Sequence, residues 1–327
     1  MTSPNTSAAP HANTPAHDAS TQTRDPHVGA AHALTEGDVS ARLGGAPDRM
    51  LDVGHAQLAY YRFGQGPDLV CVHGWPLHAA TFRRVVPHLA RDFTVHLLDL
   101  PGTGQSVWDE RSHIDLVAHG ASVRRATELL GLTRFAYLGH DSGAAISRLA
   151  AADDPRVFAH VMADTEIPGH TPWQLNLYAL TMRVPGLIQL VMRALSIGAF
   201  RRSALGFGGC FTDPRYVDGD FGAWFVQPLA TDPHVLAGQL RLLKGLDPDV
   251  LAGLRSTHAQ LSAPSLLLWG SDDPFFPVSG ARAMLPQFPA GAELVTLPRA
   301  RLFPHEDHPE AFSAATRAFL LRHAAAD

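Results

Sequence analysis

The chain has 327 residues, 46% hydrophobic and 17% charged, with 26 Lys plus Arg against 31 Asp plus Glu for a net charge of −5. That length buries one substantial core with an inserted subdomain, and the acidic balance excludes the basic field that grips a nucleic-acid backbone. Cys71 and Cys210 are far apart and make neither a disulfide framework nor a Cys-x-x-Cys metal or redox pair.

Residues 1–46 are rich in Ala, Thr, Ser, Pro, Asp and His and lack apolar periodicity, so a disordered tail is expected there, with His11, His17, His27 and His32 solvated. Met1 to Ser40 has no apolar run of the signal-peptide kind, and the most apolar stretch, Leu175 to Phe200, is broken by Arg183, Pro185 and Arg193. A cytoplasmic location without a membrane span is the expectation. From Arg49 the texture becomes β-rich. Met50–Val53 and Gln57–Phe63 alternate as a hairpin through Gly54-His55, and Leu69–Val72 is the continuous apolar run of a buried parallel strand. A helix over Ala79–Leu89, a strand Phe93–Leu98, a helix Asp115–Leu130, a strand Arg134–Leu138, a helix Ala144–Ala152 and a strand Val157–Ala163 follow. This alternation predicts right-handed βαβ units and a mostly parallel sheet flanked by helices, an α/β fold.

The alternation stops at Ile167. Residues 167–230 read as helices and loops with many aromatics, among them Trp173, Tyr178, Phe207, Phe211, Tyr216 and Trp224, and predict an inserted helical cap over the sheet's carboxyl edge. The pattern resumes with a strand Pro264–Trp269, a helix Val278–Leu285, a strand Ala292–Leu297 and a closing helix Pro309–Leu321, so the core comprises residues 47–166 and 231–327.

The sharpest local signal is the strand Phe135–Leu138 turning through Gly139-His140-Asp141-Ser142-Gly143 into a helix. A tight strand-to-helix turn needs glycine two residues on either side of its apex, and it lifts the apex side chain above the sheet. The apex is then Asp141. Ser142 as the apex would put His140 and Ala144 at the crowded positions, so Ser142 is read as an oxyanion donor through its backbone N–H.

With these features the chain resembles the α/β-hydrolase superfamily, and within it the branch of epoxide hydrolases and haloalkane dehalogenases that use Asp as nucleophile. The resemblance spans about residues 48–323 and implies an α/β-hydrolase fold. Val72-His73-Gly74-Trp75-Pro76 corresponds to the oxyanion loop after the third strand, which implies Trp75 N–H as the second donor. Asp99-Leu100-Pro101-Gly102-Thr103-Gly104-Gln105-Ser106 matches the glycine-rich loop after the fourth strand, a structural turn without the lysine of a phosphate cradle. Trp269-Gly270-Ser271-Asp272-Asp273-Pro274 matches the segment bearing the triad acid, by register Asp273.

The implied chemistry is attack by the Asp141 carboxylate on an sp3 carbon of an epoxide or halide, then hydrolysis of the resulting ester by water that a histidine activates. At that histidine the chain departs from the family. Aligning Phe303 and the acidic turn puts Leu302 in its position. Three explanations stay open: a shifted loop that turns His305 or His308 toward Asp141, a ligand-binding protein without turnover, or lyase or isomerase chemistry that needs no deacylation. Esterase activity through Ser142 is a further alternative. His73, Tyr178 and Tyr216 are the substrate-pocket candidates, the tyrosines as proton donors of the epoxide-hydrolase kind. The substrate is expected to be a small, apolar molecule. No dinucleotide fingerprint or metal constellation is present, and no cofactor is expected.

Overall fold

The computed structural model describes residues 33–325. From Leu34 the chain forms one compact unit. It opens with α1 (Glu36–Gly44), capped by Thr35, whose side chain accepts from Asp38 N–H while the Asp38 carboxylate accepts from Thr35 N–H. Val39 and Leu43, one turn apart, are buried. The part of the expected tail from Glu36 to Gly44 is therefore a docked helix, because two apolar residues four apart suffice to bury one face. The tail histidines His11, His17, His27 and His32 lie outside the described residues.

β1 (Arg49–Asp52) and β2 (Gln57–Phe63) form the expected hairpin, antiparallel to each other, and β2 pairs antiparallel with β4 (Thr94–Leu98). β3 (Asp68–Val72), β5 (Phe135–His140), β6 (Val157–Ala163), β7 (Ser265–Gly270) and β8 (Ala292–Leu297) complete an eight-stranded sheet in the order β1-β2-β4-β3-β5-β6-β7-β8. Every contact from β4 to β8 is parallel. The central strands β5 and β7 are buried at every position, as helices on both faces require, and the edge strands β1 and β8 are mostly not. This is the α/β-hydrolase fold that the resemblance implies.

The expected helix 79–89 is instead a 3-10 turn, Ala79–Phe82, followed by the short α2 (Val86–Leu89), with Pro87 in its first turn. α3 (Leu116–Leu129), capped by Asp115, and α4 (Ser142–Ala151) are packed against each other. Between β6 and β7 run α5 (Trp173–Met182), α6 (Leu187–Ala194), α7 (Gly198–Arg201), α8 (Gln227–Thr231), α9 (Pro233–Lys244) and α10 (Pro248–His258). α10 packs against α4 of the core. After β7 come α11 (Val278–Met284), α12 (Pro304–Asp307) and α13 (Pro309–Ala324). Parallel strands deliver their carboxyl ends to one edge of the sheet, and the loops after β3, β5, β6 and β7 meet there.

Candidate active site

The turn between β5 and α4 is shaped by what cannot fit. A Cβ on Gly139 would lie 2.4 Å from Ala144 Cα, and one on Gly143 would lie 2.2 Å from the Val72 carbonyl oxygen. Between these glycines Asp141 sits at φ 52, a left-handed backbone conformation for a non-glycine residue. Its position at the head of α4 puts the carboxyl at the positive end of the helix.

The Asp141 carboxyl is clasped by backbone. Trp75 N–H donates to Asp141 Oδ2 at 3.0 Å, and the backbone N–H of Ser142 favours the charged form of the same carboxyl. Gly74 allows the approach, since a Cβ there would lie 2.5 Å from Asp141 Oδ2. Ser142 Oγ also accepts from Trp75 N–H at 3.0 Å and lies 3.3 Å from Asp141 Oδ2, to which it can donate. The Ser142 side chain therefore serves the clasp, with no histidine nitrogen among its partners.

A narrow pocket of about 30 Å³ opens above Asp141, room for about two waters. Trp75, Tyr178, Phe207, Phe275, Phe276 and Phe303 form its aromatic wall, with Leu175, Leu246, Leu302 and Cys210 between them. Trp75 is fixed by its indole N–H, which donates to Gln239 O at 3.0 Å. The Tyr178 ring packs against Trp75 at 5.6 Å, and burial raises its hydroxyl pKa, so the phenol stays protonated at neutral pH.

Leu302, buried, lines this pocket together with Asp141. The alternative bases lie elsewhere. His305 is inside the core, its Nε2 2.7 Å from Thr81 Oγ1 and its ring tilted against that of His140, centroids 4.3 Å apart. Burial and the neighbouring His140 and Arg83 hold it neutral. The three-residue displacement that would turn His305 toward Asp141 does not occur: α12 begins at Pro304 and carries the ring inward. His308 points to Thr212 Oγ1 at 3.4 Å. Two expected pocket residues are also elsewhere. Tyr216 OH donates to Glu306 Oε2 at 3.0 Å and accepts from Arg84, beside the buried ion pair of Arg83 with Glu306. His73 Nδ1–H donates to Gly74 O and its Nε2 accepts from Leu100 N–H at 3.1 Å, so it joins the oxyanion loop to the loop after β4. Desolvation lowers the His73 pKa to about 3. In that second loop Asp99 accepts from the N–H groups of Ala79 and Gln105, each at 2.8 Å, which makes it a structural turn.

Asp273, after β7, accepts from Phe275 N–H at 2.7 Å. In place of a histidine it faces Asp164, at the end of β6, whose Oδ1 accepts from Gly270 N–H at 2.8 Å. Asp164 is buried and Asp273 half-buried, and each has a buried Oδ2 that receives no N–H or hydroxyl donor. Burial and then the Asp273 charge drive the Asp164 pKa well up, so Asp164 keeps a proton and donates it to Asp273, itself pushed up to about 7 by burial. Glu166, two residues beyond Asp164, was not a candidate from the sequence, yet it lines the pocket with Asp141. The only signal was the polar run Asp164-Thr165-Glu166 closing an apolar strand, where carboxyl-end loops carry function. Among the described residues, no group of three or more His, Cys, Asp or Glu could hold a metal ion, and no helix is long and apolar enough to cross a membrane.

A family model of the α/β-hydrolase fold matches residues 67–202. The pimeloyl-[acyl-carrier protein] methyl ester esterase of Aeromonas salmonicida (strain A449) is 30% identical over 271 residues, covering 79% of this chain and 97% of that protein. Among solved structures, an α/β-hydrolase fold protein from Burkholderia ambifaria is similar with a TM-score of 0.68 and 25% identity, over 82% of this chain and 98% of the other. The epoxide hydrolase CorEH shares the fold, with a TM-score of 0.67 and 21% identity over 84% of this chain and 98% of its own. The superfamily resemblance is thus matched. The sequence relatives, however, bear an esterase name rather than that of an epoxide hydrolase or dehalogenase.

Proposed function

This chain belongs to the α/β-hydrolase fold family, and from that premise we propose that it is a hydrolase in which the Asp141 carboxylate attacks a small, largely apolar electrophile at an sp3 carbon, an epoxide or halide-bearing carbon, and forms an alkyl ester. The observation that carries this reading is the Trp75 N–H bond to Asp141 Oδ2. In acyl transfer those donors must be vacant to receive the substrate's carbonyl oxygen. Here the nucleophile's own oxygen occupies them, which leaves Oδ1 for attack and prepares Oδ2 to become the oxyanion when water later adds to the ester. For an epoxide, the alkoxide released by ring opening takes a proton from Tyr178, a residue of the pocket wall.

Ester hydrolysis, as in the Aeromonas relative, is the second reading, and the 30% identity over nearly all of that protein favours it. It requires the ester carbonyl to displace Asp141 Oδ2 from the Trp75 N–H. Intact-protein mass spectrometry with styrene oxide and bromobutane, beside methyl-ester turnover, separates the two. The alkylation reading expects an adduct on Asp141 that is lost in Asp141→Asn. Methyl-ester turnover that survives Asp141→Asn and vanishes in Ser142→Ala would overturn it in favour of a serine esterase.

A further inference from the structure

We propose that Glu166 is the general base that activates the hydrolytic water, in the role left empty by Leu302; this rests on the reading of Asp141 as the nucleophile. Glu166 and Asp141 line the same pocket, and Glu166 is 4% exposed. The two residues are joined through one hydroxyl: Thr165 Oγ1 is 2.9 Å from the main-chain carbonyl oxygen of Asp141 and 2.8 Å from Glu166 Oε2, and it accepts from Arg148 at 2.7 Å. Thr165 has one proton for two acceptors. A proton arriving on Glu166 satisfies both, because Glu166 then donates to Thr165 and Thr165 donates to the main-chain carbonyl of Asp141. Arg148, fully buried, stands 3.9 Å from Glu166 Oε2 and is fixed by bonds to Ala144 O and Glu166 O, so Glu166 is held and partly neutralised.

The step balances as follows. Glu166 takes a proton from water, and the water oxygen bonds to Asp141 Cγ. The electron pair of the carbonyl moves to the oxygen held by Trp75 N–H and Ser142 N–H. Collapse of this intermediate breaks the bond to the alkyl oxygen. The departing alkoxide takes the proton from Glu166, which restores the Glu166 carboxylate and releases an alcohol, and the second water proton, left on Asp141, passes to the Tyr178 phenolate formed on epoxide opening, or to solvent after halide displacement, which restores the Asp141 carboxylate. Charge coupling times the base correctly. Burial raises both pKa values, and the Glu166 charge further raises that of Asp141. Esterification removes the Asp141 charge, which leaves Glu166 as the carboxyl that ionises beside Arg148.

The test is single-turnover alkylation by styrene oxide in oxygen-18 water, followed by intact mass and by peptide mapping of Asp141, for the parent chain, Glu166→Gln, Leu302→His and the double variant. The parent is expected to form and release the adduct with label entering Asp141. Glu166→Gln, its fold checked by circular dichroism, is expected to accumulate the adduct and release it about 100-fold more slowly. Leu302→His is expected to restore release in the Glu166→Gln background, an effect that a merely structural Glu166 would not produce. Release from Glu166→Gln at the parental rate, an adduct the parent never releases, or a folded Glu166→Gln chain that fails to alkylate would each overturn the role of Glu166 while leaving Asp141 as nucleophile. Absence of any adduct in all four proteins would remove the Asp141 reading itself.

Discussion

At one end of the pocket floor the elbow is complete: Gly74, Gly139 and Gly143 clear the space, and backbone donors from Trp75 and Ser142 converge on Asp141. At the other end Asp273, the residue the resemblance implies as the acid, is paired with a second carboxyl instead of an imidazole, and Leu302 lines the wall. The first end is held by steric exclusion and backbone geometry, which any folded chain of this pattern must reproduce. The second depends on single side chains, and one substitution there leaves the fold intact while redirecting the chemistry. Each half can therefore be tested without dismantling the other.

The largest effect is expected at the elbow. Asp141→Asn should abolish the covalent adduct and lower turnover by at least about 1,000-fold, since no other group replaces a nucleophile; rapid-quench mass spectrometry checks it, and an adduct that persists would move the nucleophile elsewhere. Next, in the Glu166→Gln background, Leu302→His should accelerate ester release by about 100-fold, the usual contribution of a positioned base, read as the decay of the adduct mass. An unchanged decay would mean that an imidazole at 302 does not reach the ester.

The stability of the two ends should diverge with pH. Asp141, Asp164, Glu166 and Asp273 have raised pKa values, so the folded state holds their protons more tightly than the unfolded chain does. Their contribution is full below the ordinary carboxylate range and is lost as pH climbs, for Asp273 through about 7. Buried His73, His119 and His160, lowered from 6.5 to about 3, act in the opposite sense: their contribution is full above 6.5 and is lost as pH falls toward 3. Between about pH 4 and 6.5 the two sets oppose each other, and because Asp273→Asn removes a contribution that declines from about pH 4 to about 7, it should make the slope of the urea midpoint against pH more positive across that window. A slope unchanged in that variant would remove Asp273 from the account. The smallest effect concerns the tyrosines. Tyr178→Phe should slow epoxide opening by about 10-fold or more, whereas Tyr216→Phe should leave its rate within about twofold and lower stability by about 1 kcal/mol through the lost bond to Glu306; measured rates in the reverse order would exchange their roles.

The elbow was legible in the sequence because its cause is local: two glycines flanking one residue state a steric requirement that needs no tertiary knowledge. The vacancy at 302 was legible for the same reason, since Phe303 and the acidic turn fix the register. Glu166 and the pairing of Asp164 with Asp273 were not, because they depend on β6 and β7 being neighbours in the sheet while about a hundred residues of chain intervene. Tyr216 and His305 fail differently. Each lies near the expected position in the chain, but the direction of a side chain from a short helical turn is decided by its partners, here Glu306 and Thr81. α1 was concealed by composition, with two apolar residues in a polar segment being too few to register as periodic.

The clasp around Asp141 Oδ2 has a consequence for how such a protein is detected. Reagents that report serine hydrolases, such as fluorophosphonates and boronic acids, need an alcohol nucleophile and vacant donors for the oxygen they introduce. Asp141 offers neither, because it forms no durable bond to phosphorus or boron and its own oxygen already receives the Trp75 N–H. With Asp141 as the nucleophile, as proposed, the protein would leave no band in a profile of a whole proteome labelled with those reagents, and its inhibitors should be sought among alkylating agents instead.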